Sequence, residues 1–155
     1  MRKINLIVIH CASTPEGKDF TVQDIDRWHR ARGFRKIGYH YVIYRDGSIH
    51  AGRPESEIGA HVEGYNAHSI GICYIGGCAA TKNAKGKYPS KDTRTPEQKA
   101  AMRQLVDKLL QKYPGSRVCG HRDLYGDTNH DGKITQSDWL KSCPCFDVGA
   151  EFSNL

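Results

Sequence analysis

Two histidines and a cysteine, far apart in the chain, have the chemistry of a metal site. His10 ends the predicted first strand, in INLIVIHCA, and His121 ends the predicted last strand, in SRVCGH. Side chains at the strand ends of α/β sheets line the crevice where ligands bind, so we expect both imidazoles there. Cys143, in LKSCPC, is the candidate third ligand. Two imidazoles and a thiolate suit zinc and leave a fourth position for water, as in catalytic zinc sites.

The spacing of these residues leaves other interpretations open. A lone histidine is more often structural than a ligand, and the chain has no CxxC pair. The stretch 121–145 is compatible with a zinc site, a calcium loop, a disulfide anchor or a polar turn. Cys145 lies two residues after Cys143 and could compete with it as the ligand.

The elements that must position these side chains follow from hydrophobic patterning. The apolar run 4–9 suits a strand that is covered on both faces. Thr21 and Asp24 have the spacing of a capping box at the start of a helix. Residues 39–44 predict a further strand, which turns back through RDGS to form a hairpin.

The second half of the chain continues this alternation. Residues 69–77 predict an apolar strand, and Thr95 with Gln98 predicts the capped start of a helix that runs toward Pro114. The strand SRVCGH follows. This order of elements predicts a single α/β domain over residues 1–155, with a central mixed sheet flanked by helices.

Composition narrows the classes of function. The chain has 155 residues, 38% of them hydrophobic, and a net charge of +6, which favours a polyanionic partner such as nucleic acid or a cell-wall polymer. Nucleic acid is the less favoured partner because no basic stripe with interleaved aromatic residues is present. The N-terminal apolar run is too short for a signal peptide or a membrane span, so we expect cytoplasmic synthesis without membrane insertion. In that reducing compartment the six cysteines are expected to be thiols or metal ligands rather than disulfides.

Several motifs, in collinear order over nearly the whole chain, resemble one enzyme family. They are IHCAST, WHRARGF, GYHYVIYRDGSIHAGR, AHVEGYNAHSIGICYIGG, TPEQKAAMRQL, GHRDL and KSCPCFD. Together they are similar to the zinc-dependent N-acetylmuramoyl-L-alanine amidases, a family that includes small phage lysozymes and is related to the animal peptidoglycan recognition proteins. The resemblance implies an amidase fold with a mixed sheet flanked by helices. It also implies hydrolysis of the amide between the lactyl group of N-acetylmuramic acid and L-alanine in peptidoglycan.

The resemblance also implies the ligands of the metal. One zinc ion per chain would be held by His10, His121 and Cys143. Cys143 is preferred to Cys145 because the family's ligand directly precedes a proline. The matching position of His61 implies a histidine near the substrate, which would bind the peptide stem or cap the pocket.

Two further residues, Tyr39 and Lys141, match the family's auxiliary catalytic positions. Lys141 would stabilise the oxyanion of the tetrahedral intermediate. The Tyr39 hydroxyl would orient the attacking water first and transfer a proton second, because an unperturbed phenol is a poor base. Without the resemblance, Tyr39 is interpreted as a half-buried strand aromatic and Lys141 as a solvated lysine.

An insertion before KSCP carries the pattern of an EF-hand loop over residues 127–138. The ligand positions of such a loop would be filled by Asp127, Asn129, Asp131, the backbone of Lys133 and Asp138, with Gly132 at the sharp turn. Asp138 is shorter than the glutamate usual at its position, which weakens bidentate coordination. Calcium binding is therefore a hypothesis, and a metal-free polar turn held by Asx hydrogen bonds is its alternative.

The sequence thus predicts a wall-lysing zinc amidase of phage or prophage origin, which acts on the cell wall after its release. A host enzyme of wall recycling would carry the same signals. A non-catalytic peptidoglycan-binding module is the first rival, although such receptors usually lack the cysteine ligand. A regulator that acts through an unidentified protein partner is the second rival.

Overall fold

The computed structural model describes residues 2–124 and 142–152. The strands are β1 (Leu6–Cys11), β2 (Thr14–Pro15), β3 (Tyr41–Ile43), β4 (Ile49–Ala51), β5 (Ser69–Tyr74), β6 (Gly77–Cys78) and β7 (Arg117–Gly120). The α-helices are α1 (Val22–Ala31), α2 (Pro96–Lys112) and α3 (Val148–Glu151), and two 3-10 helices span Asn66–His68 and His121–Leu124. The predicted calcium loop over 127–138 and the predicted catalytic Lys141 lie outside the described residues.

Five strands form a central mixed sheet in the order β4-β3-β5-β1-β7. Strands β3, β5, β1 and β7 run parallel to one another, and the edge strand β4 is antiparallel to β3. The short strands β2 and β6 form a separate parallel pair. The predicted α/β fold with a mixed sheet flanked by helices is confirmed.

The two faces of the sheet pack against different hydrophobic clusters. Ile7 and Ile9 of β1 share a buried cluster with Met102 and Val106 of α2. On alternate positions of the same strand, Leu6 and Val8 belong to a different cluster, as expected from the two-residue period of a strand. His10 therefore continues the face of β1 that is opposite to α2.

Both predicted helix caps are present. The Thr21 hydroxyl accepts from the backbone N–H of Asp24, and the Asp24 carboxylate accepts from the backbone N–H of Thr21. Thr95 and Gln98 form the same reciprocal pair at the start of α2. The caps satisfy N–H groups that have no partner within their helices, so they fix where each helix begins.

Several predicted boundaries are wrong by a few residues. Strand β1 extends to Cys11, one residue beyond the predicted end at His10, so His10 lies inside the strand near its end. Tyr39 precedes β3 instead of lying within it. Strand β5 ends at Tyr74 instead of continuing to residue 77, and Gly76, just beyond its end, adopts a positive φ angle of 133° that glycine accommodates readily.

The state of the cysteines, the length of the helices and the extent of the domain concern the chain as a whole. All six cysteines are among the described residues, and each is a free thiol, as predicted. Within the described part of the chain, every helix is too short or too polar to cross a membrane. The extent of the domain, 1–155, stays a prediction.

Candidate metal centre

The structure brings the three predicted metal ligands together. One donor atom from each of His10, His121 and Cys143 lies within 4.8 Å of the other two. His10 and Cys143 are buried, with 1% and 8% of their surfaces exposed, and His121 is half-buried. Two imidazoles and a sulfur at these separations have the composition and proximity that a tetrahedral zinc ion requires.

Cys143 is held by contacts to three separate parts of the fold. The backbone N–H of Cys11 donates to the Cys143 sulfur at 3.2 Å. The N–H of Arg122 donates to the Cys143 carbonyl at 3.0 Å. The Tyr74 hydroxyl donates to the Pro144 carbonyl at 2.6 Å. These bonds tie the cysteine to the strand that carries His10 and to the turn that carries His121.

The sequence GHRD shapes the turn around His121. The backbone N–H of Gly120 donates to the Asp123 carboxylate at 2.8 Å, which closes the turn into a 3-10 helix. A Cβ atom on Gly120 would lie 2.7 Å from the Pro144 ring, closer than real Cβ contacts. Glycine is needed here because the segment that carries Cys143 packs directly against β7.

Cys145, the alternative ligand, faces another direction. Its thiol donates to the Gly77 carbonyl at 3.3 Å and lies 3.9 Å from the Cys11 sulfur. Within the described ranges, the cluster of potential metal ligands contains Cys143 and excludes Cys145. The geometry therefore favours Cys143 as the sulfur donor.

His10 lies at the centre of an aromatic cluster. Its ring centroid is 4.8 Å from that of His121, 4.9 Å from that of His61 and 5.0 Å from that of Tyr39. Burial lowers the pKa of His10 well below the usual value, and the neighbouring charges of His61 and His121 lower it further. The imidazole is therefore neutral near pH 7 and has the lone pair that a metal ligand needs.

Tyr39 lies beside His10, two residues before β3 begins. Burial raises the pKa of its hydroxyl, and the nearby thiols of Cys73 and Cys143 raise it further. The hydroxyl is therefore protonated at neutral pH and can donate a hydrogen bond. The ring centroid of His29 lies 5.3 Å from that of Tyr39, and His29 Nδ1 accepts from the N–H of Gly38, so His29 supports the segment that carries Tyr39.

His61 contacts one of the candidate metal ligands directly. Its Nδ1 is 2.9 Å from His10 Nε2, and its Nε2 is 3.1 Å from the Ser69 hydroxyl. Burial, followed by the charges of His40 and His121, lowers the pKa of His61 to about 3. The Asn66 side chain accepts from the backbone N–H groups of His61 and Val62, both at 2.9 Å, and so fixes the backbone that carries His61.

A groove of about 850 Å³ opens over the cluster. Beyond the candidate ligands and Tyr39, its walls include Trp28, Arg32, Phe34 and Glu63. None of these four residues was predicted from the sequence to line the groove. Three of them, Trp28, Arg32 and Phe34, lie in the motif WHRARGF at the end of α1. Nothing in the sequence showed which side of that helix end faces the groove.

The chain is similar to known proteins of one enzyme family. The model of the family N-acetylmuramoyl-L-alanine amidase matches residues 1–138. An endolysin of Enterobacteria phage T3 is 37% identical over 142 residues, which cover 92% of this chain and 81% of the relative. The solved amidase LysC from Clostridium intestinale has a TM-score of 0.71 and 28% identity, and the match covers 98% of this chain and 87% of that one.

A more distant solved structure has the same fold. It is a point mutant of Drosophila PGRP-LB in complex with tracheal cytotoxin, with a TM-score of 0.69 and 24% identity. The match covers 99% of this chain and 82% of the Drosophila chain.

Proposed function

The chain belongs to the N-acetylmuramoyl-L-alanine amidase family, and from this premise we propose that it hydrolyses peptidoglycan with one bound zinc ion. The bond cleaved is the amide between the lactyl group of N-acetylmuramic acid and L-alanine. The observation that carries the proposal is the convergence of His10, His121 and Cys143 at the base of an open groove.

The donor set fits zinc in both chemistry and number. Two neutral imidazoles and a sulfur are the ligands of choice for this ion, and three protein ligands are typical of its catalytic sites. When bound, zinc would supply a Lewis acid and a water molecule whose pKa is lowered toward about 7. The three side chains would hold the ion where the groove meets the strand ends.

The remaining residues of the site would orient the substrate and water. The protonated hydroxyl of Tyr39 would donate a hydrogen bond to an oxygen near His10, which suits orientation of a reactant better than removal of a proton. Trp28 and Phe34 offer apolar surface to the sugar and to the peptide stem. Lys141, outside the described residues, is proposed to stabilise the oxyanion, a contribution of about 3 kcal/mol.

The biological role that we propose is cell-wall lysis. The phage T3 relative is an endolysin, and the net charge of +6 suits a polyanionic wall. Calcium binding by residues 127–138 stays a hypothesis. If it is correct, millimolar calcium will raise the melting temperature, and an Asp131→Ala variant will not respond.

Purified protein incubated with a muramyl peptide tests the reaction. We expect release of the muramyl sugar and the free peptide, loss of both products with a chelator, and recovery with added zinc. Cys143→Ala should abolish zinc binding and turnover, whereas the matched Cys145→Ala should retain both. A zinc-loaded protein that binds the muramyl peptide without cleaving it would instead support the non-catalytic binding module.

A further inference from the structure

A short chain of buried side chains leads from the metal cluster into the sheet. His10 Nε2 lies 2.9 Å from His61 Nδ1, and His61 Nε2 lies 3.1 Å from the Ser69 hydroxyl. The three residues are 1%, 9% and 0% exposed, respectively, so water competes little for these hydrogen bonds. The two rings meet edge to face, with an interplanar angle of 90°.

We propose that His61 is a positioning residue that selects the nitrogen with which His10 binds the metal. In this arrangement His10 carries its proton on Nε2 and presents the lone pair of Nδ1 to the ion. The inference rests on the proposed function, since it assigns a role toward the zinc ion of that site.

The positions of the protons follow from the two contacts. A neutral imidazole has one N–H group and one lone pair. If His10 Nε2–H donates to His61 Nδ1, then the proton of His61 must be on Nε2, where the Ser69 hydroxyl is placed to accept it. The opposite order would put a proton on His10 Nδ1 and block that nitrogen as a ligand. A hydroxyl can both donate and accept, so Ser69 satisfies His61 Nε2 in this tautomer. The need for a lone pair on His10 Nδ1, the nitrogen that does not face His61, selects the order in which His10 donates.

The arrangement of the rings separates His61 from the ligands. His61 and His121 both lie near 5 Å from the His10 ring, at 4.9 Å and 4.8 Å between centroids. Among the described residues, the group of three donor atoms that all lie within 4.8 Å of one another comes from His10, His121 and Cys143, and His61 is outside this group. A histidine that contacts a ligand without joining the ligands is positioned to act through it.

The backbone around His61 is built to admit its ring. A Cβ atom on Gly71 would lie 2.7 Å from two carbons of that ring, and one on Gly59 would lie 2.8 Å from the ring. Glycines at both positions leave the space that the imidazole fills. Asn66 fixes the backbone of His61 from the other side.

This role differs from the peptide-stem contact expected from the sequence. Both ring nitrogens of His61 are within hydrogen-bond distance of protein atoms. Neither is left to recognise a polar group of the substrate. His61 therefore influences the site through His10.

The test compares two variants of His61 that differ in one acceptor. In His61→Asn, the side-chain oxygen is attached to Cγ, as Nδ1 is, and can still accept from His10. In His61→Leu, the acceptor is lost. We expect the zinc Kd, measured by competition with a chelator, to weaken about 10- to 100-fold in the leucine variant and by much less in the asparagine variant. His40→Asn is the control, because His40 is a buried histidine whose Nδ1 accepts from Gly71 N–H and not from His10.

A spectroscopic measurement on the unaltered chain does not depend on how the variants fold. In protein labelled with ¹⁵N at histidine and loaded with ¹¹³Cd, we expect coupling of cadmium to His10 Nδ1 and a proton on Nε2. Coupling to Nε2, or an unchanged zinc Kd in His61→Leu, would overturn the inference. Zinc bound without muramyl-peptide hydrolysis would overturn only the proposed reaction, and failure to bind zinc would overturn both.

Discussion

Of the two predicted catalytic residues, Tyr39 is the one that the structure describes, and the role of its hydroxyl follows from its surroundings. Because burial and neighbouring thiols raise its pKa, it acts as a hydrogen-bond donor at neutral pH. We predict that Tyr39→Phe lowers kcat on muramyl peptide by about 100-fold, while the zinc content stays at one ion per chain. Steady-state kinetics and metal analysis of the same preparation measure both quantities.

Tyr41→Phe is the matched control for this substitution. Its hydroxyl donates to the Glu55 carboxylate, away from the candidate metal ligands. Its removal should change stability and leave kcat unaltered. An unchanged kcat in Tyr39→Phe would remove Tyr39 from the reaction.

At the scale of single residues, the sequence predicted more of the metal cluster than of the groove. His10 and His121 could be found because strand ends converge in α/β sheets. Cys143 was chosen over Cys145 only by resemblance, since two cysteines in SCPC are indistinguishable by residue type. Ser69 was missed because its contact with His61 depends on how a loop folds back over β5.

Among the elements, the close contact between β7 and the segment around Cys143 positions the sulfur ligand. Gly120→Ala would place a Cβ atom 2.7 Å from Pro144 and 3.2 Å from Val148. We predict that this substitution destabilises the fold by about 1–3 kcal/mol and weakens zinc binding, because the cysteine must move away from the two histidines. Thermal unfolding and chelator competition measure the two effects.

Gly149→Ala in α3 is the control for this prediction. Its Cβ would meet only an Asp147 oxygen, at 3.5 Å, which is an ordinary contact. Alanine in a helix is favoured over glycine by up to about 1 kcal/mol, so stability should be kept or raised with zinc binding unaltered. Equal loss of zinc affinity in both variants would contradict the role assigned to Gly120.

The elements themselves were predicted best where local chemistry fixes them. The capping pairs at Thr21 and Thr95 involve residues three apart, so their helix starts could be read from the sequence. The short strands β2 and β6 and the helix α3 were not predicted. The two strands form by pairing with each other across more than sixty residues of sequence. A strand of two residues is too short to show an alternating pattern of apolar and polar residues.

For the whole molecule, the buried histidines make stability depend on pH. Burial, with Arg32 and Arg53 nearby, lowers the pKa of His29 to about 4, and the pKa of His61 is lowered to about 3. Below about pH 6.5, the usual histidine value, the unfolded chain binds protons that the folded chain does not. Acidification therefore favours unfolding.

We predict that, with a chelator present, the melting temperature falls progressively from pH 6.5 to pH 4. His29→Asn, which keeps an acceptor for Gly38 N–H, should reduce this fall, because one of the titrating groups is gone. A melting temperature that stays constant over this range would contradict the assignment of neutral buried histidines.

X-ray absorption at the zinc edge of the metal-loaded protein tests the central claim most directly. We predict two imidazole nitrogens at about 2.0–2.1 Å, one sulfur at about 2.3 Å and one oxygen from water at about 2 Å. A spectrum with two sulfurs, or with a fourth protein donor in place of water, would contradict a catalytic site built from His10, His121 and Cys143.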